Sequence, residues 1–194
     1  MAGTATYLNH GPMWVIYNAV NLGFLNEGEV TLTINQDWVD QLCHQTGSHV
    51  VQSYFKGEQV DVEASLAEIT NLDNWVVAFQ TAQKQKDTAT PPINRIASGS
   101  ATTTAPYIGT TATSVAKVLI LRPVSLYTDA STETAQDFVI PKAFCRNAGA
   151  IPHGIDTANV LPLHFSGIFD PAATEGEYLW VRGKLTGTGA WTAA

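Results

Sequence analysis

The sequence predicts a mainly β protein, an antiparallel sandwich or barrel flanked by one α-helix. Three observations carry that expectation. Val60, Val62, Ala64 and Leu66 alternate with Gln59, Asp61, Glu63 and Ser65, the period-two pattern of a half-buried strand. The period then changes abruptly, because Leu72, Trp75, Val76 and Phe79 form one apolar stripe at helical spacing. Elsewhere the apolar residues come in short runs bounded by turn-forming residues, which suits many strands and no second long helix.

Taken in order, Met13 to Val20 is a mostly apolar first strand, and Val30, Leu32 and Ile34 alternate with Glu29, Thr31 and Thr33 as the second. The polar stretch Gln36–Tyr54 reads as a long hairpin arm or a loop, followed by a turn at Lys56-Gly57 and the alternating strand. Thr70 sits where the helix N-cap belongs, with Asp73 as a weak capping-box partner. Ser65 with Glu68 is a competing start, disfavoured because the alternation runs through Leu66. The packing residues expected of this helix are Leu72, Trp75, Val76 and Phe79. Residues 88–114 are rich in Thr, Ser, Ala, Pro and Gly and predict an extended loop or insertion, since they offer little to bury. Val118 to Leu121 is a continuous apolar run ended by Pro123, suited to a buried strand, and residues 161–169 and 178–182 read as closing strands. A single domain over 1–194 is expected, because neither side of the Ser/Thr-rich loop is complete without the other's strands.

Composition limits the function classes. The chain has 194 residues, 45% hydrophobic and 14% charged, too apolar for a disordered chain and low in surface charge for a lone monomer. No secretory signal and no membrane-spanning run is expected. Cys43 and Cys145 read as reduced, incidental thiols rather than a disulfide framework. Charge is unevenly placed. Residues 1–90 hold ten acids and three bases, a balance of −7, while the remainder holds seven of each. With no basic stripe, ordinary nucleic-acid binding is disfavoured.

Several constellations could in principle carry chemistry. Cys43, His44 and His49 lie near Asp37 and Asp40, but a zinc site needs paired ligand spacings and only one cysteine accompanies the histidines. His153 and His164 could meet a Ser and an Asp, yet no nucleophile-elbow pattern accompanies them. Asp61 and Glu63 share a strand face, the commonest reason for which is a solvated surface. Gly187 and Gly189 have no helix after them with which to cradle a phosphate. The reading is a protein without catalytic, cofactor or metal site. Among the aromatics, Trp38 suits a subunit anchor or a turn back onto its own core. Tyr178 and Trp180 alternate with Leu179 and Val181, giving one aromatic strand face; Trp191 lies near the end.

Three patches also carry a resemblance. Gly47 to Trp75 reads as strand, turn, Lys56-Gly57-Glu58, strand, Leu66-Ala67-Glu68 and a short capped helix. Leu22-Gly23-Phe24 precedes Glu27-Gly28-Glu29-Val30-Thr31-Leu32, and Leu161 to Asp170 precedes a turn and Tyr178 to Gly183. Together, over roughly half the chain, these patches resemble the major tail tube proteins of long-tailed bacteriophages, in order and pattern rather than through a fingerprint motif. The resemblance implies the tail tube fold: six-membered rings whose inner sheets join into one barrel, stacked into a conduit for genome ejection. The partners implied are further copies of the chain, a tape measure protein, a tail terminator and baseplate or tail-tip proteins. DNA passes through without specific binding, no membrane is involved, and the location is the virion.

On that resemblance the arm projects axially and contacts the next ring through Trp38, Leu42, Val50, Val51 and Tyr54. The polar face Gln59, Asp61 and Glu63 is expected to line the lumen, where carboxylates repel the phosphates of passing DNA. Glu27, Glu29 and Glu58 are lesser candidates for the same lining. Alternatives are a related tube-fold component, namely a tail terminator, baseplate ring or type VI secretion tube protein. From another class, a ligand- or carbohydrate-binding β-sandwich would use the Trp residues and the Ser/Thr-rich loop.

Overall fold

The computed structural model describes residues 12–23, 25, 30–43, 49–67, 71–79, 82–86, 88, 91, 93–98, 111–124, 136–146, 160–174 and 176–185. Its elements are β1 (Met13–Tyr17), β2 (Val20–Asn21), β3 (Thr31–Cys43), β4 (His49–Leu66), α1 (Leu72–Ala78), β5 (Ala82–Lys86), β6 (Asn94–Ser98), α2 (Ala112–Val115), β7 (Lys117–Pro123), β8 (Phe138–Cys145), β9 (Leu161–Gly167) and β10 (Val181–Arg182). The fold is mainly β. One eight-stranded sheet runs β2-β1-β7-β8-β9-β4-β3, with β10 beside β8, and β5-β6 form a separate hairpin. Every pairing is antiparallel.

The first strand ends earlier than its apolar run suggests. Asn18 and Ala19 take positive φ of 52° and 62°, making the two-residue turn whose twist suits a hairpin. Tyr17 then pairs with Val20. Inward residues of β1, β4, β7, β8 and β9 share one cluster, including Val15, Val60, Val62, Leu66, Leu119, Leu121, Ile140, Leu163 and Phe165. The sheet therefore curls around its core. Strand β8 helps by changing partner, with Val139 beside β10 and Ala143 to Cys145 beside β9. A register shift against β7 falls around Pro141, which has no N–H to give to the ladder.

The β1-β7-β8 end is buried on both faces. Ile16, Ile120 and Val139 form a second cluster, with Trp14, Val118 and Leu185 against it. This explains the unbroken apolar run of β7, whose residues from Leu119 to Pro123 are all buried. Arg122 belongs to that run and was not anticipated as a core residue. Its side chain and that of Asp137 are both 0% exposed, with Nη2 at 2.6 Å from Oδ2 and Nε at 3.0 Å from Oδ1. Such a fork satisfies both charges inside the protein.

Helix α1 departs from expectation at its start and on its inward face. Asn71 is the N-cap, its Oδ1 accepting from the Asp73 amide at 3.0 Å; Thr70 lies outside the described residues. Asn and Thr cap almost equally well, so residue type alone could not fix the boundary. Leu72, Trp75 and Val76 are only partly buried, and Val77 with Phe79 packs on the main core. Between them Asn74 is buried, with Nδ2 donating to the Leu22 carbonyl at 3.0 Å. That carbonyl lies where the chain leaves β2, and satisfying it rotates the helix away from its most apolar stripe. Trp75 stacks on Phe79 at 5.7 Å instead.

Within 88–114, the described parts are not all loop. Asn94–Ser98 pairs with Ala82–Lys86 as a hairpin, and Ala112–Val115 forms one helical turn. Lys84 ties the hairpin to α1 through Asp73 at 2.9 Å.

Candidate assembly surface

The second half of β3 and the first half of β4 form a two-stranded ribbon that leaves the body of the sheet. From Gln36 to Cys43, at ~3.3 Å per residue, it reaches about 25 Å. Every described side chain from Thr33 to Leu42 and from Gln52 to Lys56 is exposed. Among the described residues, β3 pairs only with β4, so its other edge carries unpaired backbone groups.

The expected turn at Lys56-Gly57 is absent. Both residues lie inside β4, where the register passes from Asp37↔Gly57 to Trp38↔Phe55 and leaves Lys56 as an extra residue. A second shift leaves Val51 extra, between Gln41↔Gln52 and Leu42↔Val50. Each bulge reverses the alternation of β4. Even positions face the core from Val60 to Leu66, whereas beyond Lys56 the core-side position is Phe55, and beyond Val51 it is Val50. Strand β3 carries no such insertion, so Trp38 and Leu42 stay on the side of Leu32.

The outcome places two apolar pairs, Trp38 with Phe55 and Leu42 with Val50, on the side that continues the core face along the ribbon. They are separated by Asp40 and Ser53, whose hydroxyl donates to Asp40 Oδ1 at 2.6 Å. Trp38 and Phe55 are 53% and 54% exposed, with ring centroids 5.3 Å apart edge to face. Of the residues expected at a stacking contact, Trp38, Leu42 and Val50 therefore share a face. Tyr54 is on the other, opposite Val39, with its hydroxyl donating to Gln41 Oε1 at 3.2 Å. The Val51 side chain lies outside the described residues. Phe55 was missed, because simple alternation through Tyr54-Phe55-Lys56 points it the wrong way. Ion pairing continues along the ribbon between Lys56 Nζ and Asp37 Oδ2 at 2.7 Å, and Asp37 raises the Lys56 pKa by hydrogen bonding and charge.

At the ribbon base, a strap from Ile168 to Trp180 crosses the core side of the sheet. Trp180 stacks on Phe138 at 5.4 Å and donates Nε1 to Glu58 Oε1 at 2.7 Å, while Phe169 stacks on Tyr178 at 5.2 Å. The aromatic face expected of a strand over 178–182 is thus partly covered by its own chain; only Val181–Arg182 is strand. Lys142 Nζ holds Asp170 at 2.8 Å and keeps the pKa of its carboxyl low, chiefly through that hydrogen bond. Gly167 belongs here too, since a Cβ there would meet Ile140 Cγ2 at 3.2 Å.

The opposite face of β4 carries Gln59, Asp61 and Glu63, away from the core as their spacing suggests. Asp61 is not a free carboxylate. Its Oδ1 accepts from Ser166 Oγ at 2.6 Å and lies 3.5 Å from His164 Nε2, while Oδ2 accepts from Gln59 Nε2 at 2.6 Å. Arg146 Nη2 donates to Ser166 Oγ at 3.0 Å. A Ser, a His and an Asp do meet here, but the hydroxyl donates to the carboxylate and is buried. That geometry makes a polar clamp that ties β4 to β9 and to Arg146 at the end of β8. Glu63 is exposed and sits opposite His164 and Thr31.

Cys145 is buried, and desolvation pushes its thiol pKa up to about 11. The side chains of Cys43 and His49, and all of Glu27, Glu29, His44, His153, Gly187, Gly189 and Trp191, lie outside the described residues. Among those described, no three His, Cys, Asp or Glu side chains group as metal ligands, and no helix is long and apolar enough to cross a membrane. No protein-family model matches the chain, and no curated protein matches it.

Proposed function

We propose that this chain is a virion structural protein, the tail tube subunit of a long-tailed bacteriophage, forming hexameric rings that stack into a conduit for DNA. The observation that carries the reading is the β3–β4 ribbon. A 13-residue edge strand with exposed apolar residues is an aggregation hazard in a monomer and an asset in an assembly that covers it. The sequence resemblance supplies the identity of the cover, neighbouring copies of the same chain. Joining of inner sheets around the ring would remove the open edge, and the ribbon would seat on the next ring. The working location is the virion, and the partners are further copies, tape measure, terminator and tail-tip or baseplate proteins.

In this reading the face bearing Glu63 lines the lumen. Glu63 is the more accessible source of repulsion for DNA phosphates, since it is exposed whereas the Asp61 side chain is mostly covered. Sedimentation velocity over a concentration series tests the proposal. Mass should rise from monomer to hexamer and then to filaments, and Trp38→Ala should suppress the filaments. A strictly monomeric protein at every concentration and salt condition would refute it, and filaments of undiminished length from Trp38→Ala would refute the role of the ribbon.

A further inference from the structure

Two surfaces of the chain, a cleft and an exposed edge of the β5–β6 hairpin, have complementary chemistry. The first is the cleft at the ribbon base, of about 840 Å³, between Phe55 on one side and Phe169, Tyr178 and Trp180 on the other. Phe55 and Phe169 are 54% and 57% exposed, and Glu58 is the charged residue of the lining. The second lies on the β5–β6 hairpin, where Ile93 is 65% exposed beside Lys86 and Arg95. Arg95 is oriented by Nε donating to Gln85 Oε1 at 2.9 Å. One surface is aromatic with an anionic member; the other is an aliphatic knob beside two cations.

We propose that the aromatic cleft receives the β5–β6 hairpin of a second copy of this chain. Ile93 enters between Phe55 and Phe169, and Lys86 and Arg95 face Glu58. Guanidinium and ammonium groups also suit the faces of Phe and Tyr rings. The contact joins two different patches, so each copy uses its hairpin on one neighbour and its cleft on the other. Such head-to-tail contacts close into rings when the rotation permits. The inference rests on reading the chain as a self-assembling subunit and names the surfaces that meet within a ring.

A head-to-tail contact predicts an outcome that a face-to-face contact does not. Lys86→Glu with Arg95→Glu disables the hairpin, and Phe169→Arg disables the cleft; Phe169→Ser serves if the arginine variant does not fold by circular dichroism. In sedimentation velocity, each variant alone should self-associate roughly tenfold or more weakly than the natural chain. Mixed in equal amounts, the two keep one intact hairpin and one intact cleft, and should form heterodimers that grow no further. If the natural chain assembles and either variant assembles equally well, or if the mixture stays monomeric, the inference is overturned while the tube reading stands. A natural chain that never associates overturns the tube reading, and this contact with it.

Discussion

The two halves of β4 are one continuous strand with opposite fates. From Val60 to Leu66 its even positions are buried in the core, Val60 and Val62 at 0% exposure. Val50, Tyr54 and Phe55 stand half exposed on a ribbon over which no described residue forms a second layer. The composition of the two halves is similar; what differs is what lies above them. In the body, β9 extends the sheet on the far side of β4 and the strands of β1, β7 and β8 close over the core. In the ribbon, among the described residues, β4 has β3 alone beside it. Apolar residues that the described part of the chain leaves uncovered are the ones the proposed assembly would bury.

Substitutions in the body and in the ribbon should separate folding from assembly. The largest effect on folding is expected in the doubly buried end. Arg122→Ala leaves Asp137 charged and enclosed, and should cost about 3–5 kcal/mol in urea unfolding, with Asp137→Ala similar. A cost near that of a surface pair would mean that the fork does not organise the β7–β8 layer.

An intermediate effect is expected at the strap. Lys142 lowers the pKa of Asp170, so the stabilisation is present above the ordinary carboxylate value of about 4 and is lost as pH falls through the lower folded-state value. Asp170→Asn should therefore lower the melting temperature at neutral pH, with the difference from the natural chain shrinking in acid. A difference independent of pH would mean that the Lys142–Asp170 ion pair does not stabilise the strap.

The smallest folding effect is expected on the ribbon. Trp38→Ala and Phe55→Ala lose a cross-strand aromatic pair that is half in water, which should cost the monomer under about 1 kcal/mol. Both should nevertheless impair filament formation far more than any body substitution that leaves the protein folded. Strong destabilisation of the monomer by either would make the pair a part of the core after all.

The body was the legible half in the sequence. Alternation from Gln59 to Leu66 and the run Val118 to Leu121 report burial on one face and on two, because those patterns arise locally. The ribbon was legible as an arm but not in its detail. Lys56-Gly57 has turn composition, yet opposing strand pairing holds it extended and turns Lys56 into a bulge. Once the bulge exists, Phe55 changes face, and no pattern confined to β4 can report that. The Arg122–Asp137 fork was hidden for a related reason, since each residue makes sense only when β7 and β8 are laid side by side. Strand β6 was masked by its Ser/Thr-rich surroundings, although Asn94 to Ser98 pairs directly with Ala82 to Lys86. Asn74 shows the same limit on the helix, where one unsatisfied carbonyl outweighed the stripe.

In the proposed assembly the ribbon and the open edge are covered by other copies of the chain. Negative-stain electron microscopy of the purified protein at high concentration tests this directly. Annular particles with sixfold symmetry, and tubes built by stacking them, are the predicted result. A uniform field of monomer-sized particles under every salt condition would contradict it.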